Sequence, residues 1–185
     1  MSARRYGFRR CLLLIGLLLY GVVASAVAQP ESAEDWLRWA NDARTQHSFV
    51  GEFLYQHGEA IDTMRIWRSA DGAGGVRERL LSLSGAPREI LRGDATVTCI
   101  FPGNGSVMTD RRRLRAPLSA RLPEDIDALQ PHYAVELLGE DRVAGRPTMR
   151  VGINAQDKLR YGYELWFDKQ TGILLRAELH SAVGE

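Results

Sequence analysis

The sequence predicts an α+β protein, an N-terminal helix followed by a strongly curved antiparallel sheet, with that helix and a short second one against the sheet's concave side. Three observations predict it. Trp36, Trp39, Ala40 and Ala43 recur at helical spacing in one short stretch. From Ser48 onward the apolar period becomes two, in runs too short for helices. Most of the runs are separated by short breaks of turn composition, which suit sequential hairpins and hence an antiparallel sheet.

Ser32 stands as the N-cap of the helix, and Glu34 and Asp35 occupy the first turn, where the positive end of the helix dipole favours acids. The helix runs through Thr45. So short a helix is stable only when it packs, and its two tryptophans point to a sheet as the surface it packs on. Residues 48–56 then place Phe49, Phe53 and Tyr55 on one side of a strand. His57-Gly58-Glu59 is a turn, and residues 61–67 return. Residues 71–75 (Asp-Gly-Ala-Gly-Gly) form a loop by composition. Strands follow at 76–83, 88–92 and 96–101, the last two joined by a tight turn at Gly93-Asp94. Pro102-Gly103-Asn104-Gly105 breaks the pattern, and residues 102–122 read as one long irregular segment, a kind of connection that is more often functional than accidental. Pro123 with Glu124, Asp125 and Asp127 opens a short helix with proline at N1. Strands at 133–138, 148–153, 161–167 and 174–179 complete the set, with turns at 144–147 and 168–172. The total is about nine strands in a single domain.

The chain has 185 residues, with 24 Lys+Arg against 23 Asp+Glu and 45% hydrophobic residues. That balance excludes wholesale disorder and argues against a nucleic-acid binder, which carries a basic excess. The first 28 residues are a secretory signal peptide: Arg4, Arg5, Arg9 and Arg10, an apolar run over 11–23, and the small-x-small site Ala26-Val27-Ala28, with cleavage after Ala28. An uncleaved anchor is the alternative, although the apolar run is short of the roughly 20 residues of a membrane span. Cleavage removes four Arg and no acid, so the formal charge of +1 becomes −3. It also removes Cys11 and leaves Cys99 without a partner inside the mature chain. Its apolar neighbours Val97, Ile100 and Phe101 suggest a buried, inert thiol.

Catalytic chemistry has no sequence support. His47, His57, His132 and His180 have no His, Cys or carboxylate at the spacings of a zinc site, so neither a metal nor a cofactor is expected. There is no Gly-x-Ser-x-Gly and no phosphate loop. Glu124, Asp125 and Asp127 are explained by a helix start. Binding has more support. Arg111, Arg112, Arg113 and Arg115 form the one basic cluster, which is either a solvated loop or a contact for phosphates or an acidic partner. The apolar strand residues are either ordinary core or the lining of a groove, since a curved sheet with one short helix need not fill its own concavity.

Four stretches resemble the N-terminal domain of the RseB/MucB family of periplasmic regulators of the envelope-stress sigma factor. They are Trp36-Leu37 through Ser48-Phe49-Val50-Gly51 with Phe53; Met64-Arg65-Ile66-Trp67; Leu81-Ser82-Leu83-Ser84-Gly85-Ala86-Pro87-Arg88-Glu89-Ile90; and Tyr161-Gly162-Tyr163-Glu164-Leu165-Trp166-Phe167-Asp168 leading to Thr171-Gly172-Ile173-Leu174-Leu175-Arg176. The third is the most distinctive, and the last is shared with LolA/LolB-like lipoprotein carriers. The resemblance implies a LolA/LolB-like open half-barrel that binds the periplasmic part of a membrane-anchored anti-sigma factor and protects it from proteolysis. It also implies an apolar cleft that senses lipid or lipopolysaccharide fragments. Strand alternation nominates Phe53, Tyr55, Trp67, Leu81, Leu83 and Ile100 as cleft lining, with Arg111, Arg112, Arg113 and Arg115 facing acidic groups of ligand or partner. The family's smaller C-terminal domain has no counterpart in residues 29–185. A periplasmic lipid or lipoprotein carrier is the alternative reading.

Overall fold

Helix α1 (Ala33–Gln46) begins where the sequence places it. The Ser32 hydroxyl accepts the Asp35 backbone N–H at 3.0 Å, which satisfies one of the donors a helix start leaves open. That hydrogen bond, together with Arg38, holds the Asp35 carboxyl below its ordinary value. The computed structural model describes residues 29–93, 96–110 and 125–181. Residues 1–28, read above as a signal peptide, Asp94 of the expected 93–94 turn, the 111–115 arginine cluster, and Pro123 and Glu124 of the expected helix start lie outside the described residues.

Among the described residues ten strands follow in two antiparallel meanders. The first is a six-stranded sheet in sequence order: β1 (Phe49–His57), β2 (Ala60–Ala70), β3 (Val76–Ser82), β4 (Glu89–Arg92), β5 (Val97–Phe101) and β6 (Ser106–Asp110). The second is a four-stranded sheet, β10-β9-β8-β7, built from β7 (Tyr133–Val143), β8 (Arg146–Ala155), β9 (Gly162–Asp168) and β10 (Leu174–His180).

Three features differ from the sequence expectation. The strands form two hydrogen-bonded ladders among the described residues, where one sheet was expected. β6 lies inside the segment read as irregular. Asn104 builds the turn before it, its side chain accepting the Ser106 backbone N–H at 3.0 Å, and Gly105 takes φ +64°. Among the described residues the expected second helix is a single 3-10 turn, Asp127–Leu129, with the Asp125 carboxylate accepting from the Asp127 and Ala128 backbone N–H groups.

The core lies between α1 and the four-stranded sheet. Ala33, Trp36, Leu37 and Ala40 bury one helix stripe against Val151, Ile153, Leu165 and Phe167, and Ile126 and Leu129 from the 3-10 turn close the cluster. Trp39 packs edge-on to Trp36, with ring centres 5.1 Å apart. The six-stranded sheet buries far less, with Met64 and Leu80 its only buried hydrophobics among the described residues.

Candidate functional site

The ladder register assigns each side chain of the six-stranded sheet to a face, because residues directly opposite in an antiparallel pair point the same way and neighbours alternate. One face, called inner here, carries Phe49, Gly51 and Phe53 of β1, Ile66 and Met64 of β2, Leu80 of β3, Ile90 of β4, and Cys99 and Phe101 of β5. The other face, outer, carries Val50, Glu52 and Leu54, then Arg65 and Trp67, Arg79 and Leu81, Glu89 and Leu91, and Ile100 and Val107.

The inner face is an apolar floor with arginine–carboxylate groups at its ends, one of them carrying two arginines on a single carboxylate. At one end Arg68, Glu78 and Arg92 stand in one row across β2, β3 and β4. Arg68 pairs with Glu78 and also donates to the Arg44 carbonyl, so the C-terminal end of α1 reaches this face. The Arg68 and Glu78 side chains are each 8% exposed, and Arg92 reaches the same carboxylate at 3.4 Å. Burial presses the Arg68 guanidinium below its ordinary value, and Glu78 opposes that shift. At the other end Arg88 lies 3.6 Å from Asp62. Buried Nε atoms of Arg88 and Arg92 have no hydrogen-bond partner among the described residues. Between the ends, a Cβ added at Gly51 would meet nothing within 4 Å. The floor is therefore open above β1, flanked by Phe49 and Phe53. Apolar surface with buried arginine at its margins suits a guest that is greasy along its length and acidic at a tip.

The outer faces of both sheets are built differently, as tryptophans under arginines. Trp67 lies beneath Arg65 and Arg79, at 5.8 and 5.0 Å, and those arginines pair with Glu52 and Glu89. On the four-stranded sheet Trp166 lies beneath Arg150 and Arg176, at 5.7 and 4.5 Å, and its indole N–H donates to Asp141 at 2.9 Å. That bond, with the Arg142 backbone N–H, holds the Asp141 carboxyl below its ordinary value. Beside it, Glu164, Glu178 and His180 bring donor atoms within 4.8 Å of one another. Sequence spacing missed this group because Glu164 and Glu178 meet only through the β9–β10 register. Each carboxylate already pairs with an arginine, Arg150 or Arg176, so ion pairing accounts for the charges.

The six predicted lining residues do not share a face. Phe53, half-buried, and Tyr55, exposed, are on the inner face. Trp67, Leu81 and Ile100 are half-buried on the outer face, and the exposed Leu83 continues that alternation just past β3. Sequence reasoning missed Ile66, Leu80 and Ile90. The Leu80-Leu81 and Ile90-Leu91 pairs offer an apolar residue at either parity, and only the pairing of Phe53 with Met64 fixes which one faces inward. Cys99 is half-buried on the inner face, where a buried thiol was expected. Arg111, Arg112, Arg113 and Arg115 lie outside the described residues.

Comparison with known proteins supplies the family. The MucB/RseB N-terminal domain profile matches residues 32–185. The chain is 37% identical over 169 residues to the sigma factor AlgU regulatory protein MucB of Pseudomonas aeruginosa, covering 91% of this chain and 52% of that protein. It is 29% identical over 173 residues to the sigma-E factor regulatory protein RseB of Haemophilus influenzae, covering 94% of this chain and 54% of that one. The solved complex of Pseudomonas aeruginosa MucA and MucB superposes with a TM-score of 0.66 at 35% identity, over 83% of this chain and 52% of that one. The chain thus spans about half the length of the relatives it matches. These relatives are sigma-factor regulatory proteins, not enzymes. With a family profile covering both meanders and α1, the chain belongs to the MucB/RseB family through its N-terminal domain.

Proposed function

We infer that this chain is an exported, periplasmic negative regulator of an envelope-stress sigma factor. It binds the periplasmic part of a membrane-anchored anti-sigma factor and shields that segment from proteolysis. A lipid or lipopolysaccharide fragment on the inner face of the six-stranded sheet relieves the hold. The observation that carries this reading is the match, over most of the chain, to a MucB whose structure was solved in complex with MucA. The apolar floor open above Gly51 supports the ligand part, and arginines at its ends suit the acidic head of a lipid. Curvature of the strands into a half-barrel would gather that floor into a cleft. Arg111, Arg112, Arg113 and Arg115 are proposed to meet acidic groups of ligand or partner, and Ala28 to precede the cleavage site.

Co-purification tests the regulatory part. The full exported gene product is expected to retain a tagged periplasmic segment of its cognate anti-sigma factor and to slow that segment's cleavage by protease. A protein that binds acyl chains yet retains no anti-sigma segment would be a lipid or lipoprotein carrier instead.

A further inference from the structure

Asn104 is the one asparagine of the chain that precedes glycine; Asn41 precedes aspartate and Asn154 alanine. It sits in the turn 102–105, between the paired Phe101 of β5 and Ser106 of β6, and every residue of that turn is exposed. An asparagine side chain can be attacked by the backbone nitrogen of the next residue, which closes a five-membered ring on Cγ. The reaction is intramolecular, so its rate depends on how the turn holds the two groups.

Both groups are set up here. Asn104 Oδ1 accepts from the Ser106 backbone N–H at 3.0 Å and from the Ser106 hydroxyl at 2.6 Å. Oδ1 is the atom that gains negative charge when a nucleophile adds to Cγ. A backbone N–H and a hydroxyl converging on that oxygen are what stabilise a tetrahedral oxyanion. The nucleophile is lightly held. The Gly105 N–H has only a long hydrogen bond, 3.4 Å to the Pro102 carbonyl, and a Cβ at Gly105 would meet nothing within 4 Å. Glycine also adopts many backbone angles without strain, so its nitrogen can swing toward Cγ.

We propose that Asn104-Gly105 is a self-modification site, a turn whose Ser106 donors promote conversion of Asn104 to an acid with water as the only co-reactant. The Gly105 nitrogen bonds to Cγ, the bond from Cγ to the side-chain nitrogen breaks, and ammonia leaves carrying the Gly105 proton. The cyclic imide that remains then takes up one water. Opening at the side-chain carbonyl leaves aspartate at position 104. Opening at the main-chain carbonyl leaves isoaspartate, with the main chain rerouted through Cβ. Either product puts a negative charge on a turn that has none. The aspartate carboxylate accepts the same two Ser106 donors and keeps the turn. Isoaspartate instead lengthens the main chain by one atom where the β5–β6 register is set, next to Phe101 of the inner face.

Peptide mass spectrometry of the exported full chain, incubated at neutral pH, tests this. Asn104 is expected to gain the mass difference between an amide and an acid, and to do so faster in the folded chain than in the same chain unfolded in urea. The Ser106 donors converge on Oδ1 only in the folded turn. Ser106→Ala, at an exposed position, is expected to slow conversion of the folded chain about tenfold and leave the unfolded rate unchanged. Ser106→Thr, which keeps a hydroxyl, should restore the folded rate. A folded rate at or below the unfolded one overturns the proposal. So does a Ser106→Ala variant that folds, by circular dichroism, and converts as fast as wild type. Should that variant fail to fold, the comparison of folded with unfolded wild type decides by itself.

Discussion

Asp168 shows how much one side chain carries. Its side chain is 1% exposed and gathers Arg146 Nε at 2.6 Å, the Thr171 hydroxyl at 2.8 Å and the Gln170 and Thr171 backbone N–H groups. Burial alone would raise its pKa, but the hydrogen bonds from Arg146 and Thr171 outweigh it and hold the carboxyl below its ordinary value. A carboxyl depressed in the folded state contributes stability that is complete above its ordinary pKa and is lost as pH falls through the folded value. Asp168→Ala is expected to cost about 3 kcal/mol at neutral pH, because it leaves buried donors and a guanidinium unpaired. Asp168→Asn should flatten the loss of stability below about pH 4, the ordinary carboxyl range. Urea unfolding across that range measures both. An acid limb identical to wild type would show that Asp168 does not supply it.

At the scale of elements, two hairpins make opposite predictions. The turn from β7 to β8 has only Ala144 and Gly145 between the paired Val143 and Arg146, and both take positive φ, 49° and 81°. Two positive values are the signature of a type I′ turn, which favours Asn-Gly. Alanine pays for that conformation, so Ala144→Asn is expected to stabilise the protein by about 0.5–1 kcal/mol, read as a rise in Tm. In the turn from β9 to β10, Gly172 takes φ +71°, and a Cβ there would lie 3.1 Å from both the Ala43 Cβ and the Trp39 ring. That contact seats the hairpin on α1. Gly172→Ala is expected to cost roughly 2 kcal/mol from strain and overpacking together. Unchanged stability would mean the hairpin can lift from the helix.

At the scale of the whole molecule, the burial is lopsided. α1 and the four-stranded sheet share a filled core, while the six-stranded sheet leaves its inner floor half-covered. A filled core resists change, and a half-covered floor can accept a guest. If an acyl guest and the anti-sigma segment oppose each other, linkage requires that each weaken the other by the same factor. An acyl-chain fluorophore is expected to bind the full exported protein and to lower its affinity for the anti-sigma segment. Gly51→Leu, which places a side chain in the open space, should weaken fluorophore binding about tenfold and leave anti-sigma binding intact. Leu83→Arg, on the outer face, serves as the control and should bind the fluorophore like wild type. Equal fluorophore binding by the Gly51→Leu variant would move the guest off this floor.

The sequence by itself determined the local matters. Helix α1, its serine cap, eight of its nine expected strands within a few residues and the turns at 57–59, 144–147 and 168–172 were legible, because alternation, capping and turn chemistry act between near neighbours. The ninth, at 48–56, was legible too, down to Phe49, Phe53 and Tyr55 sharing a side. β6 was not, since a five-residue strand whose two apolar residues, Val107 and Met108, are adjacent carries too little alternation to separate it from a loop. Only the tertiary structure decided that the strands divide into two ladders, that Ile66, Leu80 and Ile90 face inward while Trp67, Leu81 and Ile100 face outward, and that arginines bracket the floor. The reason is register: a strand with apolar residues at both parities can present either, and which one it presents depends on partners far away in the chain.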